Sequence, residues 1–261
     1  SIQINGGDPA PFLPGFPTIP PDGDRLQVFT DGEINIFSNK VEPAEIKVNS
    51  TDPITGEQTF NLGFSSIESA IMTPGPRAQT VNVYGDNNDA LVDQNDTFVV
   101  VGQDVDSELI PLESVFAKPI DTMFEPDSDG AHEFGLSLNG SAPVLFRNVV
   151  DLNVWGDDIL ATPSGPPHID TLDITPYADD SPTGWGVDVF FDEGNPAQGD
   201  GAQADLLILR TSVHGGEVSE DILVRPGGAD AGEVVVTNGS DNSLIVDIDF
   251  INNTDIIVID D

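Results

Sequence analysis

Cysteine is absent from this chain. Disulfides, thiolate metal sites and cysteine nucleophiles are excluded together. Positive charge is almost as scarce. Eight Lys and Arg stand against forty-six Asp and Glu, a formal net charge of −38. Lys40, Lys47, Lys118 and the five Arg form no basic stripe, which argues against nucleic acid as a partner; an anionic membrane would be repelled too. No apolar run approaches the ~20 residues of a membrane span, so no membrane insertion is expected. Histidine is limited to His132, His168 and His214, far apart and without a His-Glu-x-x-His pair. His132, beside Glu133, and His168 read as exposed loop residues. Gly-x-Ser-x-Gly elbows and Gly-Lys-Ser/Thr phosphate loops are also missing. The chain therefore reads as a non-enzyme.

What is present in excess is acid. Crowded like charge opposes compaction, and salt screens only pairs beyond about 8 Å at 0.15 M. Bound divalent cations or a high-salt medium must neutralise it. Hydrophobic residues still make up 38% of the 261, spread along the whole length, enough for a core rather than wholesale disorder.

Helical spacing of apolar residues is nearly missing, and alternation takes its place. Leu26–Phe29, Glu33–Phe37, Glu45–Val48, Asp247–Phe250 and Asp255–Ile259 read as short strands. Twenty-six Gly and twenty-one Pro punctuate them. The fold class is all-β. Residues 1–24 stand apart as an alternating strand, Ser1 to Asn5, followed by a Pro-rich extended segment. Its Ile2 and Ile4 are read as partner-binding, filling a neighbour's vacant sheet edge. The competing reading folds the strand back onto its own domain. Residues 25–261 form the β domain. The chain begins at Ser1 without a charged-then-apolar leader, which fits either a processed secreted form or a trimmed chain. Sequons at Asn49, Asn95, Asn139, Asn238 and Asn252 are compatible with a surface glycoprotein.

Three segments resemble one another. Val81-Asn82-Val83-Tyr84-Gly85-Asp86 leads to Asp96-Thr97-Phe98. Leu152-Asn153-Val154-Trp155-Gly156-Asp157 leads to Asp170-Thr171-Leu172. Val187-Asp188-Val189-Phe190-Phe191-Asp192 leads to Asp205-Leu206-Leu207. Upstream, Phe64–Glu68 and Phe146–Val150 read as matching entry strands. Such recurrence favours stacked β repeats, an irregular β-helix or β-solenoid. Tandem Greek-key β-sandwiches are the alternative. Tyr84 and Trp155 fall at matching positions, which points to packing. Trp185, between Gly184 and Gly186, is the aromatic expected at a partner surface.

The loops between these strands concentrate oxygen ligands. Asp86, Asp89, Asp93 and Asp96 form one set, Asp157, Asp158 and Asp170 a second, and Asp192, Asp200 and Asp205 a third. Ca²⁺ takes several oxygens from a bent backbone, so these are the candidate metal ligands. Turn chemistry is the alternative, since Asp and Asn cap their own backbone. Asp127-Ser128-Asp129-Gly130 with Glu133 lacks the full EF-hand frame and reads as an acidic loop.

Over roughly residues 64–210, the Val-x-Val-x-Gly-Asp … Asp-Thr-Leu/Phe texture resembles secreted bacterial surface and adhesin proteins with degenerate haemolysin-type (RTX-like) calcium repeats. The strict Gly-Gly-x-Gly-x-Asp nonapeptide is absent. The resemblance implies a place outside the cell and a non-catalytic role. The expectation is an extracellular, calcium-stabilised structural or adhesive subunit that self-assembles with copies of itself into a filament or surface layer. The alternatives are a secreted carbohydrate-active β-helix enzyme, and a glycan- or protein-binding module of a large adhesin.

Overall fold

Alternating apolar and polar residues place every second side chain on one face of a strand, and that pattern recurs in many of the described strands, as in Thr97–Gly102, Asp151–Trp155 and Thr171–Thr175. The computed structural model describes residues 2–5, 25–30, 32–37, 45–51, 54–56, 58–65, 69–74, 79–85, 95–102, 132–141, 143–156, 169–176, 185–192, 205–211, 220–227, 231–239, 242, 244–251 and 255–260. Among them there is no helix. The first strands are β1 (Ile2–Asn5), β2 (Arg25–Thr30), β3 (Glu33–Phe37), β4 (Glu45–Thr51), β5 (Gln58–Ser65) and β6 (Ser69–Pro74). Then come β7 (Thr80–Tyr84), β8 (Thr97–Gly102), β9 (Phe134–Leu138), β10 (Val144–Phe146), β11 (Asp151–Trp155) and β12 (Thr171–Thr175). The last are β13 (Asp188–Asp192), β14 (Leu206–Thr211), β15 (Glu220–Pro226), β16 (Ala231–Asn238), β17 (Leu244–Ile251) and β18 (Asp255–Asp260).

The strands form two mixed sheets. The ten-stranded sheet has the order β1-β5-β4-β3-β7-β11-β13-β17-β16-β15, and the eight-stranded sheet β18-β14-β12-β8-β9-β10-β6-β2. From β11 to β14 the chain alternates between the sheets, and like strands pair in parallel. Val81 aligns with Leu152, and Leu152 with Val189. In the other sheet Thr97 aligns with Thr171, and Thr171 with Leu206. The inward residues of both sheets merge into one buried cluster, including Val81, Val83, Phe98, Leu152, Val154, Leu172, Ile174, Val189, Phe191 and Leu207.

The registers correct the sequence comparison at two points. Trp155 aligns with Asp192 rather than Phe190, so the third segment lies two residues further along than its aromatics indicated. A two-residue slip keeps every side chain on its own face, which is why the pattern alone did not exclude it. The counterpart of Phe146 is Met72 on β6, whereas Phe64 belongs to β5 in the opposite sheet.

Trp185 is also corrected. It is fully buried, its indole Nε1 donating to the Glu133 carbonyl at 2.7 Å and its ring lying edge-on to Phe134. Of the glycines beside it, Gly186 has φ +71°, so it marks a backbone conformation that favours glycine and not an exposed neighbour. Glu133 likewise leaves the acidic-loop reading. It is buried, with its carboxylate 3.9 Å from the buried Arg147 guanidinium, because a buried charge requires a partner. His132 is half-buried, its backbone N–H donating to the Trp185 carbonyl at 2.7 Å.

The N-terminal strand β1 pairs in parallel with β5 of its own sheet, Ile2 opposite Leu62 and Ile4 opposite Phe64. Within this chain the strand therefore folds back. The Pro-rich segment lies outside the described residues, as does the acidic fragment at 127–130.

Candidate functional site

Each strand that enters the eight-stranded sheet from the acidic loops is preceded by an aspartate. Asp96, Asp170 and Asp205 are all buried and stack one above another. The Asp96 N–H donates to Asp170 Oδ1 at 2.7 Å, and the Asp170 N–H donates to Asp205 Oδ1 at 2.7 Å. Asn139 Nδ2 closes one end by donating to Asp96 Oδ1 at 2.7 Å. Backbone bonds run beside the column: Thr171 to the Asp96 carbonyl, Leu206 to that of Asp170, Asp255 to that of Asp205. A carboxylate accepting a backbone N–H is a charge-assisted bond. The column therefore sets the register between successive strands.

The glycine in the Gly-Asp texture has its reason here. A Cβ on Gly85 would overlap the Gly156 carbonyl and Asp96 Oδ2, and one on Gly156 would overlap Asp170 Oδ2. Only glycine leaves room for the carboxylate that follows in the chain.

The outer face of the ten-stranded sheet carries three further rows. The middle row is asparagine. Asn35 Nδ2 donates to Asn49 Oδ1 at 2.8 Å, Asn82 Nδ2 to Asn35 Oδ1 at 2.9 Å, and Asn153 Nδ2 to Asn82 Oδ1 at 3.0 Å. The Asn35 and Asn82 amides both donate to one neighbour and accept from the next, and Asn82 Nδ2 also reaches Glu33 Oε2 at 3.3 Å. Beside it, Phe37, Tyr84 and Trp155 stack with centroids 5.0 and 4.8 Å apart and rings within 10° of parallel. Phe190 meets Trp155 edge-on at 6.5 Å. Burial, and then the charge of Glu33, pushes the Tyr84 phenol up.

The remaining row is acidic. Asp151 aligns with Asp188, and Asp188 with Asp247. Like charges directly opposite across strands are destabilising. The Asp188 carboxyl is raised by desolvation first, then by Asp151 and Asp249, with His132 acting against the shift. Asp247 is raised by desolvation, then by Glu233, Asp249 and Asp188, with Arg225 opposing. A raised acid binds its proton more tightly in the folded chain than in the unfolded one. Stability from this row is therefore lost as pH rises from the unfolded value through the raised folded one, and regained on acidification. Asp188→Asn is expected to raise the melting temperature at pH 7 by about 0.4–4 °C, from a like-charge pair of about 0.2–1 kcal/mol. In thermal scans the gain should shrink towards pH 4 and in molar salt. A gain that grows on acidification contradicts the argument.

The ten candidate metal ligands separate into two groups. Asp86, Asp89, Asp93, Asp157, Asp158 and Asp200 lie outside the described residues. Asp96, Asp170 and Asp205 form the column, where one oxygen each of Asp96, Asp170 and Asp205 takes a hydrogen bond. Asp192 sits half-buried on the outer face, opposite Trp155. Among the described residues no group of three or more His, Asp or Glu is placed to hold an ion. A Ca²⁺ shell, which needs six to eight oxygens, therefore has to draw on the loops.

Sequence reasoning missed the asparagine row and the buried Glu133–Arg147 pair. The signal for the first was present: asparagine is depleted in strands, yet it recurs mid-strand in Ile-Asn-Ile, Val-Asn-Val and Leu-Asn-Val. Two sequons, Asn49 and Asn139, have side-chain amides inside these networks. Comparison with family models, with curated proteins and with solved structures finds no match to this chain.

Proposed function

We propose that this chain is a non-catalytic structural or adhesive subunit that works outside the cell, built as an irregular β-solenoid. Its coils are read as β7 with β8, β11 with β12, β13 with β14, and β17 with β18. One observation carries the reading. Polar and aromatic side chains at corresponding strand positions are committed along the stack, each to its neighbour on the next strand, as in the Asn35–Asn82–Asn153 row and the Asp96–Asp170–Asp205 column. Side chains engaged this way hold a shape. The aromatic row fits the same purpose. Both faces of the Tyr84 ring are covered by Phe37 and Trp155, so it offers an edge, not a platform for stacking a sugar ring.

Ca²⁺ is the proposed counter-charge, held by the acidic loops that join the two sheets. The net charge of −38 supports this, and so does the placement of the loops between strands that stack in register. A ligand at about a hundred times its dissociation constant stabilises by about 2.7 kcal/mol per site, or about 5–10 °C for a chain of this size. Melting should therefore shift down by at least that much when a chelator is added at fixed moderate ionic strength. An unchanged melting temperature removes calcium from the proposal. The structural role is tested separately, by negative-stain microscopy of concentrated protein, where ordered polymers or sheets are the expected outcome.

A further inference from the structure

β15 closes the ten-stranded sheet at one end, and among the described residues its one strand partner is β16. The strand is open to solvent. Leu223 and Val224 are 48% and 45% exposed, and Asp221, Arg225 and Pro226 are exposed as well. Leu223 aligns with Val235, and Val235 with Asp247, which places Leu223 on the outer face together with Asp221 and Arg225. Ile222 and Val224 align with the buried Val236 and Val234, on the inner face. An edge strand with apolar side chains on both faces is a template for another strand.

The direction of its backbone groups follows from the hairpin. The Gly227 N–H donates to the Ala231 carbonyl at 2.8 Å, one step beyond the pairing of Pro226 with Gly232. Bonded and non-bonded pairs alternate along an antiparallel ladder. Arg225, Leu223 and Asp221 therefore turn their N–H and C=O groups to β16, while positions 220, 222, 224 and 226 turn theirs to the open edge. Proline at 226 fits this phase, because its missing N–H takes nothing from the β16 ladder.

The strand is complementary to itself. A second β15 can run antiparallel to it about a two-fold axis through Leu223. Ile222 of each copy then meets Val224 of the other, Leu223 meets Leu223, and Asp221 of each copy meets Arg225 of the other. Apolar faces apolar, and cross-strand pairs of opposite charge are favourable. Arg225 bonds Glu233 through Nη1 at 2.9 Å, and its side chain, 55% exposed, keeps donors for a second carboxylate. The outward backbone groups are in phase to exchange about six hydrogen bonds, with one lost at each end to proline. Moving the axis by one residue sets Leu223 against Asp221 or against Arg225 and loses both charge pairs. Resting on the self-assembling subunit proposed above, we infer that the β15 edge is the docking site for the same edge of a second copy, in this register. Such a contact is isologous and closes on itself. It makes a dimer by joining the two larger sheets, places no demand on the smaller ones, and leaves further growth to another surface.

With no native cysteine, single cysteines read the register. Facing residues of a non-bonded antiparallel pair have Cα atoms about 4.5 Å apart, within disulfide range. Full-length Leu223→Cys should therefore oxidise to a covalent dimer and stop there. In this register positions 222 and 224 each lie about 8–9 Å from their own copies, too far to bridge, so Ile222→Cys and Val224→Cys should give at least tenfold less dimer. Sedimentation velocity over a concentration series, in about 0.15 M salt to screen the like charge of the copies, should show the wild-type chain passing from monomer to dimer. Asp221→Arg should raise the concentration needed about tenfold, although it lowers the net charge by which the copies repel. Val224→Pro should do the same while the monomer keeps its β-sheet circular dichroism, since it removes an N–H from the open edge and none from the β16 ladder. Cross-linking that is strongest at 222 or 224, or equal at all three positions, overturns the register. A wild-type chain that stays monomeric at all concentrations overturns the docking site. Ordered polymers in the microscope without the Leu223→Cys cross-link overturn the docking site and leave the structural subunit standing, whereas cross-linked dimers without polymers do the reverse.

Discussion

Trp185→Ala is expected to cost about 3–5 kcal/mol, the range for deleting a buried tryptophan, and to lower the melting temperature by about 6–20 °C. Trp185 ties together segments of the chain that lie far apart in sequence. Its N–H donates to the Ile245 carbonyl at 3.1 Å, on β17, and its carbonyl accepts from His132 at 2.7 Å. Its indole donates to the Glu133 carbonyl at 2.7 Å, just ahead of β9. The ring fills space beside Phe134, which itself stacks on Phe146 at 5.0 Å. Trp185→Phe separates packing from hydrogen bonding. It keeps an aromatic ring but leaves the buried Glu133 carbonyl without the indole donor, a loss of about 1–3 kcal/mol. Denaturant midpoints of the two variants read the difference. Only two tryptophans are present, so the phenylalanine variant also isolates the emission of Trp155. A cost below about 1 kcal/mol for the alanine variant would show that the site collapses freely, contrary to the close packing described here.

Asp170→Ala is the second large effect, about 2–4 kcal/mol. It strips the acceptor from the Asp96 N–H and leaves that donor beside a buried void, a penalty of about 1–3 kcal/mol, and it removes a charge-assisted bond as well. Asp170→Asn keeps an oxygen for the same N–H and should lose less than half as much. The glycine gives a sharper check. In the native chain Gly156→Ala places a methyl group against Asp170 Oδ2. In the Asp170→Ala background the carboxylate is gone and only the Asp170 Cβ contact at 3.0 Å remains, so the double variant should be more stable than the two separate losses imply, by about 1–3 kcal/mol. A ligand role predicts another pattern: unchanged stability in chelator, with the loss appearing only when Ca²⁺ is added. Melting curves in both conditions distinguish a register-setting carboxylate from a metal ligand.

The strands themselves were legible. Glu33–Phe37 and Val246–Phe250 alternate strictly enough that their faces are set by the pattern alone. The leading position of Asp96, Asp170 and Asp205 was legible too, as a pattern, while its meaning was not. A sequence shows that an aspartate precedes a strand; it does not show that the N–H meeting its carboxylate belongs to a residue 74 or 35 positions away. Glu133 illustrates the reverse case. Beside His132 and below an acidic stretch it reads as solvated, yet Arg147, at the same end of the adjacent strand β10, makes its burial tolerable. Among the described residues the few cations are placed with this economy, as Arg210 grips Asp173 with two bonds of 2.7 and 2.8 Å.

The amino-acid sequence by itself determined that this chain is all-β, strongly acidic and free of thiol chemistry, because alternation, charge and composition are local properties that no partner alters. Only the tertiary structure decided which strands are neighbours, which aspartates are buried, and that Trp185 is core. Those outcomes depend on pairings between distant segments, and in a sheet a shift of two residues preserves every local preference while changing every contact along the stack.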